Sequence, residues 1–255
     1  EYLKEHAPMT AQPPAAWPVD LLLWFHYPST PFAEAFRHLR TNIYYSDESH
    51  GPQVLLFTSP CPGDGKTLCT LQLASALAAD GKRVLVIEAD LRRPSLHLFL
   101  GEQSEPGLGD LPARDDITRP IEGWFGSFDC VMAGAPTESP AELLSGARFG
   151  ELVRQARNAY DFVLIDSPPF PLVSDALIVA MHADRVFSVV RPHNTRRVAA
   201  REHLQRLSAA SRRHAVVIND TSAGDAYDNY GTVRSAGRRR LRKGLLAVRT
   251  GAAGN

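Results

Sequence analysis

Short apolar runs recur along the chain at 54–57, 83–87, 128–133, 161–165, 184–190 and 215–218, each built mainly from Leu, Ile, Val and Phe. Runs of this length and composition predict strands buried on both faces, as in a parallel sheet. Between them lie segments with helical spacing. One covers 31–43. Another follows Gly65 and sets Cys69, Leu73, Ala76 and Leu77 on one face. A third spans 141–160. A fourth, 195–207, turns Ala200, Leu204 and Leu207 inward and Arg196, Arg197, Arg201 and Arg206 outward. The alternation predicts an α/β fold with a mostly parallel central sheet flanked by helices on both faces.

The punctuation divides the chain. Residues 1–30 carry Pro8, Pro13, Pro14, Pro18 and Pro28 and read as a linker arm. Ser29-Thr30-Pro31 opens the first helix with hydroxyl caps and a proline in its first turn, followed by Glu34. Residues 95–135 are rich in Gly and Pro and read as irregular up to the strand at 128–133. After Asn219 the hydrophobic pattern stops. Tyr227 and Tyr230 sit among acidic residues, and Arg234, Arg238, Arg239, Arg240, Arg242, Lys243 and Arg249 follow as a basic tail. That composition reads as disordered. The expected organisation is an arm at 1–30, a domain at 31–221 and a flexible tail at 222–255.

The candidate chemistry sits where strands end. Pro60-Cys61-Pro62-Gly63-Asp64-Gly65-Lys66-Thr67 follows the first strand and precedes a helix. Strand, glycine loop, Gly-Lys-Thr and helix make a P-loop, although Pro60 stands where the strict pattern has glycine. The loop Pro62-Gly63-Asp64-Gly65-Lys66-Thr67-Leu68 wraps phosphates with the backbone N–H groups of its non-proline residues, Lys66 adds a point charge and Thr67 can ligate Mg²⁺. The second strand delivers Glu88 and Asp90 to the same sheet edge, where ligands of open α/β sheets bind. Two such carboxylates suit a metal ion and a general base. The strand at 161–165 ends in Asp166, the Walker B layout of an apolar strand and a metal-facing carboxylate. Asn219, at the last strand's end, resembles the position that reads adenine in related P-loop ATPases; the alternative is a turn cap. Cys61 is a redox-sensitive thiol if its neighbours depress its pKa, and otherwise a passive side chain. Tyr44, Tyr45 and Tyr160 read as packing residues.

Composition narrows the class. The chain has 255 residues, 22% charged and 44% hydrophobic, which leaves room for one sizeable core. Its formal net charge is +0, so no global field recruits nucleic acid. Cys61, Cys69 and Cys130 lack metal-ligand spacing and fit reduced thiols. No stretch approaches the ~20 apolar residues of a membrane span. A start at Glu1 reads as a domain of a longer protein.

The three nucleotide motifs in this order resemble the bacterial tyrosine kinases of capsule and exopolysaccharide export, P-loop proteins related to the MinD/ParA ATPases. The resemblance runs from about residue 31 to 219. Residues 62–67 match Walker A, Glu88-Ala89-Asp90-Leu91-Arg92-Arg93-Pro94 the second acidic motif, and Asp166-Ser167-Pro168-Pro169 Walker B. Glu34, Arg37 and Arg40, followed by Thr41-Asn42-Ile43, resemble the family's oligomerisation helix. The family usually has Asp where this chain has Glu88. The resemblance implies an enzyme using ATP and Mg²⁺ in which Lys66, Glu88, Asp90 and Asp166 are catalytic. It implies that Thr67, Asp90 and Asp166 hold the metal, and that Glu88 or Asp90 accepts the tyrosine proton. It also implies autophosphorylation of Tyr227 and Tyr230 between subunits of a ring, a transmembrane activator, fused or separate, and work with a polysaccharide export machinery. The location implied is the cytoplasmic face of the bacterial inner membrane, where the basic tail can touch anionic lipid. A MinD/ParA-like ATPase switch and a nucleotide-binding assembly adaptor are the alternatives.

Overall fold

The computed structural model describes residues 31–46, 51–111, 113–121, 127–170, 174–210, 213–220 and 247–250. The arm at 1–30, Tyr227, Tyr230 and the basic residues at 234–243 lie outside the described residues. In chain order the helices are α1 (Pro31–Tyr45), α2 (Lys66–Ala78), α3 (Leu96–Leu100), α4 (Pro140–Ser145), α5 (Ala147–Ala159), α6 (Asp175–Ala180) and α7 (Arg197–Ala210). The strands are β1 (Gln53–Thr58), β2 (Val84–Glu88), β3 (Thr118–Ile121), β4 (Phe128–Val131), β5 (Phe162–Asp166), β6 (Arg185–Val190), β7 (His214–Ile218) and β8 (Ala247–Thr250).

Among the described residues these strands form one sheet in the order β3-β4-β2-β5-β1-β6-β7-β8. The pairs from β4 to β7 are parallel, and only the edge strands β3 and β8 run antiparallel. All six expected strands form. Alternation along each strand splits the core between the two faces. Leu55, Phe57, Val84, Val86 and Leu164 pack against α1 and α2. Val54, Leu56, Leu85, Ile87, Val163 and Ile165 pack against Leu144 of α4, Phe149 of α5, Val179 of α6 and Leu207 of α7.

The expected and observed elements differ where hydrophobic period is a poor guide. The single helix expected over 141–160 is two, because Gly146 adopts φ −68° and ψ 151°, outside the helical region. The irregular stretch at 95–135 contains α3 and β3. Only Ile121 of β3 is buried, and Pro120 is tolerated because the strand lies at the sheet edge. Within the tail expected to be flexible, β8 pairs with the open edge of β7, from Ala215 opposite Thr250 to Ile218 opposite Ala247. Backbone pairing at an edge needs no apolar signature.

Register then makes the site. Asp166 stands opposite Phe57 on one side and Glu88 on the other, so the ends of β1, β2 and β5 meet at one edge. The loop after β1 runs straight into α2 there.

Candidate active site

The loop between β1 and α2 has the backbone of an anion cradle. Gly63 and Gly65 adopt φ of +80° and +93°, a region that disfavours side chains. A Cβ on Gly65 would also lie 2.1 Å from Asn219 Nδ2. The first turn of α2 contains no acidic residue, so its free N–H groups carry an uncompensated positive end.

Four side chains converge beneath the loop. Lys66 Nζ lies 3.0 Å from Asp90 Oδ2. Thr67 Oγ1 donates to Asp166 Oδ2 at 2.6 Å. Burial works against the charge of Lys66, but the carboxylates of Asp166 and Asp90 outweigh it and hold its pKa above the ordinary value. Burial pushes the Asp166 carboxyl up, against the pull of Lys66 and Thr67. Asp166 Oδ1 is buried and has no hydrogen-bond partner among the described residues, an unmet acceptor beside a hydroxyl and a lysine. A nucleotide phosphate with its Mg²⁺ fits these residues. The cradle and Lys66 suit the phosphates, and the free Asp166 oxygen and Thr67 suit the cation or its water shell.

The remaining predicted residues have other partners. Glu88 is fully buried. Its Oε1 accepts the backbone N–H groups of Ser95 and Leu96 at 2.5 and 2.6 Å, and its Oε2 that of Ala133 at 3.2 Å. Burial raises its pKa to about 7, with the three backbone donors acting in the opposite direction. The Asp64 side chain is taken up by protein donors. It accepts from Cys61 N at 2.9 Å, Asn194 Nδ2 at 2.8 Å and Thr195 Oγ1 at 2.7 Å. Asn219 donates to the Asp64 carbonyl at 2.9 Å, supporting the loop from behind. Burial and then the Asp64 charge raise the Cys61 thiol pKa, which is opposite to redox activation.

The stripe expected on α1 breaks at Arg40. Glu34 and Arg37 pair with each other at the surface. Arg40 turns inward and donates to the Ala76 carbonyl at 2.9 Å, near Asp80 at 3.4 Å. A step of three residues drifts by about 60° around a 3.6-residue helix, which brings Arg40 round toward α2. Tyr44 and Tyr160 pack as expected, donating to Asp80 and Asp129. Tyr45 is instead 88% exposed.

Sequence reading did not pick out the supports. Asn194 and Thr195, in the turn between β6 and α7, latch the P-loop. Arg191 joins Asp220 at 2.6 Å. Arg92 makes a two-pronged pair with Asp175, which is fully buried. Of these, only Arg92 lies in a motif that the sequence marks, at 88–94, though without a role of its own there.

Fold and site together define a P-loop nucleotide-binding protein. The profile of the CobQ/CobB/MinD/ParA nucleotide binding domain matches residues 55–229. The chain belongs to that family, within its bacterial tyrosine-kinase branch. It is 31% identical over 210 residues to the tyrosine-protein kinase YwqD of Bacillus subtilis, covering 80% of this chain and 89% of that protein. It is 38% identical over 162 residues to the tyrosine-protein kinase wzc of Salmonella typhimurium, covering 62% of this chain. The chain spans only 22% of the length of wzc and 26% of EpsB from Ralstonia nicotianae. The kinase domain of the Escherichia coli tyrosine kinase ETK superposes with a TM-score of 0.72 at 27% identity, over 93% of this chain and 91% of that one. MinD of Pyrococcus horikoshii, complexed with Mg-ADP, shares the fold at 22% identity and a TM-score of 0.53, over 64% of this chain and 68% of its own.

Proposed function

We propose that this domain is an ATP-dependent protein tyrosine kinase that phosphorylates Tyr227 and Tyr230 of a neighbouring copy. The carrying observation is the pairing of Lys66 with Asp90 beside Asp166, whose second oxygen has no partner among the described residues. The names of the relatives favour tyrosine over water as acceptor.

In this reading Lys66 leaves Asp90 for the β- and γ-phosphates, and the loop amides at 63–68 hold those phosphates in place. Thr67 and Asp166 hold Mg²⁺, which neutralises charge on the phosphates. Asp90, released from Lys66, orients the tyrosine hydroxyl and takes its proton. The phenolic oxygen bonds to the γ-phosphorus as the bond from that phosphorus to the β,γ-bridging oxygen breaks, and ADP leaves. Tyrosine's pKa near 10 makes the base useful chiefly as the new bond matures.

The wider reading follows the family resemblance of the motifs. The domain works at the cytoplasmic face of the inner membrane as part of a larger membrane protein. It assembles as a ring through the Glu34–Arg37 face of α1, responds to a transmembrane activator, and tunes exopolysaccharide or capsule polymerisation and export. Among the described residues, no helix is long and apolar enough to cross a membrane.

The test is direct. Purified domain incubated with Mg-ATP should yield phosphotyrosine at Tyr227 and Tyr230 by mass spectrometry, and a Lys66→Met chain should yield none. ATP turnover to free phosphate without phosphotyrosine would refute the kinase reading.

A further inference from the structure

Glu88 stands where the sequence left the tyrosine base open between two carboxylates, and its surroundings separate the roles. A base must present an oxygen to the incoming hydroxyl. Glu88 is 0% exposed, and both of its oxygens are taken by backbone donors. Oε1 receives Ser95 and Leu96, and Oε2 receives Ala133. These bonds join the end of β2 to the start of α3 and to the segment just past β4. They close the turn at 89–94 into a loop anchored at both ends.

That loop carries site chemistry. Asp90 faces Lys66 with one oxygen and receives the Arg93 backbone N–H at 3.1 Å with the other. Arg92 ties the same turn to Asp175 on α6. Ser95 Oγ lies 3.4 Å from Thr67 Oγ1. The pose of Asp90 thus depends on where residue 88 holds the loop. The length of the side chain matters as well. An aspartate here would withdraw its oxygens by roughly one C–C bond, ~1.5 Å, too far to hold bonds of 2.5 and 2.6 Å to α3.

We infer that Glu88 is a positioning residue: its glutamate-length carboxylate staples the 89–94 turn so that Asp90 faces Lys66 and the phosphates, and it takes no proton from the substrate. This deepens the kinase reading and rests on it only for the transfer measurements.

Two substitutions oppose the roles. Glu88→Gln keeps length and one acceptor oxygen for Ser95 and Leu96, and turns an NH₂ toward Ala133. Glu88→Asp keeps the charge and loses the reach. A staple predicts wild type above Gln and Gln above Asp. Mg-ATP affinity, read with a fluorescent nucleotide, should fall less than about threefold in the Gln variant. It should fall about tenfold or more in the Asp variant, the equivalent of one lost hydrogen bond. The kcat for phosphotyrosine formation should follow the same order. The acid limb of its pH profile should persist in the Gln variant, because the proton acceptor is intact. Hydrogen exchange at the Ser95 and Leu96 amides should accelerate in the Asp variant while β1 and β5 stay protected.

A base predicts the reverse order. Asp variant activity at or above wild type, with a Gln variant that loses orders of magnitude in kcat and the acid limb, would overturn the inference. So would unchanged exchange at Ser95 and Leu96. Should Glu88→Asp fail to fold, Glu88→Gln still decides through its kcat and pH profile. If wild type makes no phosphotyrosine, the kinase reading fails by itself, and nucleotide affinity and amide exchange still decide the staple.

Discussion

Asp64→Ala is the sharpest test of how the P-loop is held. The side chain is fully buried and accepts from Cys61 N, Asn194 Nδ2 and Thr195 Oγ1. Truncation leaves three donors without their carboxylate. The three losses are unequal. Asn194 is exposed and Cys61 is partly exposed, so both can rehydrate at a cost of about 0.5 kcal/mol each. Thr195 is buried, and the loss of its charged acceptor costs about 2 kcal/mol. The sum is about 3 kcal/mol, or a fall in Tm of about 6–12 °C for a domain of this size. Urea unfolding followed by circular dichroism measures it, with Asp64→Asn expected between wild type and Ala because one acceptor oxygen remains. Saturating Mg-ATP should recover part of the loss by mass action. The reasoning fails if Asp64→Ala unfolds within about 0.5 kcal/mol of wild type while losing nucleotide affinity. The carboxylate would then serve the ligand and not the loop.

Further outcomes follow from other contacts. Lys66→Met removes the cation that faces Asp90 and Asp166, so besides abolishing transfer it should lower stability by about 3 kcal/mol; equal urea midpoints would contradict this. His203 is buried with its Nε2 unpartnered among the described residues, and burial lowers its pKa to about 4. Unfolded, it titrates near 6.5, so between those values the unfolded chain binds the extra proton. Stability should be full above pH 6.5 and fall by up to about 3 kcal/mol toward pH 4. His203→Phe should flatten that part of a pH series of unfolding curves. For assembly, a Lys66→Met chain should be phosphorylated by a Tyr227→Phe/Tyr230→Phe chain, and Arg37→Glu should suppress the exchange. Absence of labelling in that mixture, with wild type labelling at a concentration-independent rate, would mean transfer within one molecule. Arg40→Ala should instead cost about 1 kcal/mol of stability, because Arg40 caps the end of α2.

Sequence by itself determined the parallel sheet and the location of the site. Strands such as 162–166 are buried on both faces, so nearly every position is apolar and the run is visible without neighbours. The glycine loop and the carboxylates at strand ends are equally local, since a P-loop joins one strand to the next helix. Edge strands escaped notice because pairing at an edge uses backbone groups that every residue has. Tertiary structure alone decided which partners each carboxylate meets. Glu88 and Asp90 look interchangeable as acids at the end of one strand, yet Glu88 meets backbone N–H groups of α3 and Ala133, Asp90 meets Lys66, and Asp166 beside them keeps an oxygen without a partner among the described residues. Those partners come from segments up to 45 residues away in the chain. Asp64 likewise reads as a loop residue until Asn194 and Thr195, from the turn after β6, arrive to bind it. A residue's chemistry at such a site is set by the donors around it, and only folding brings those donors together.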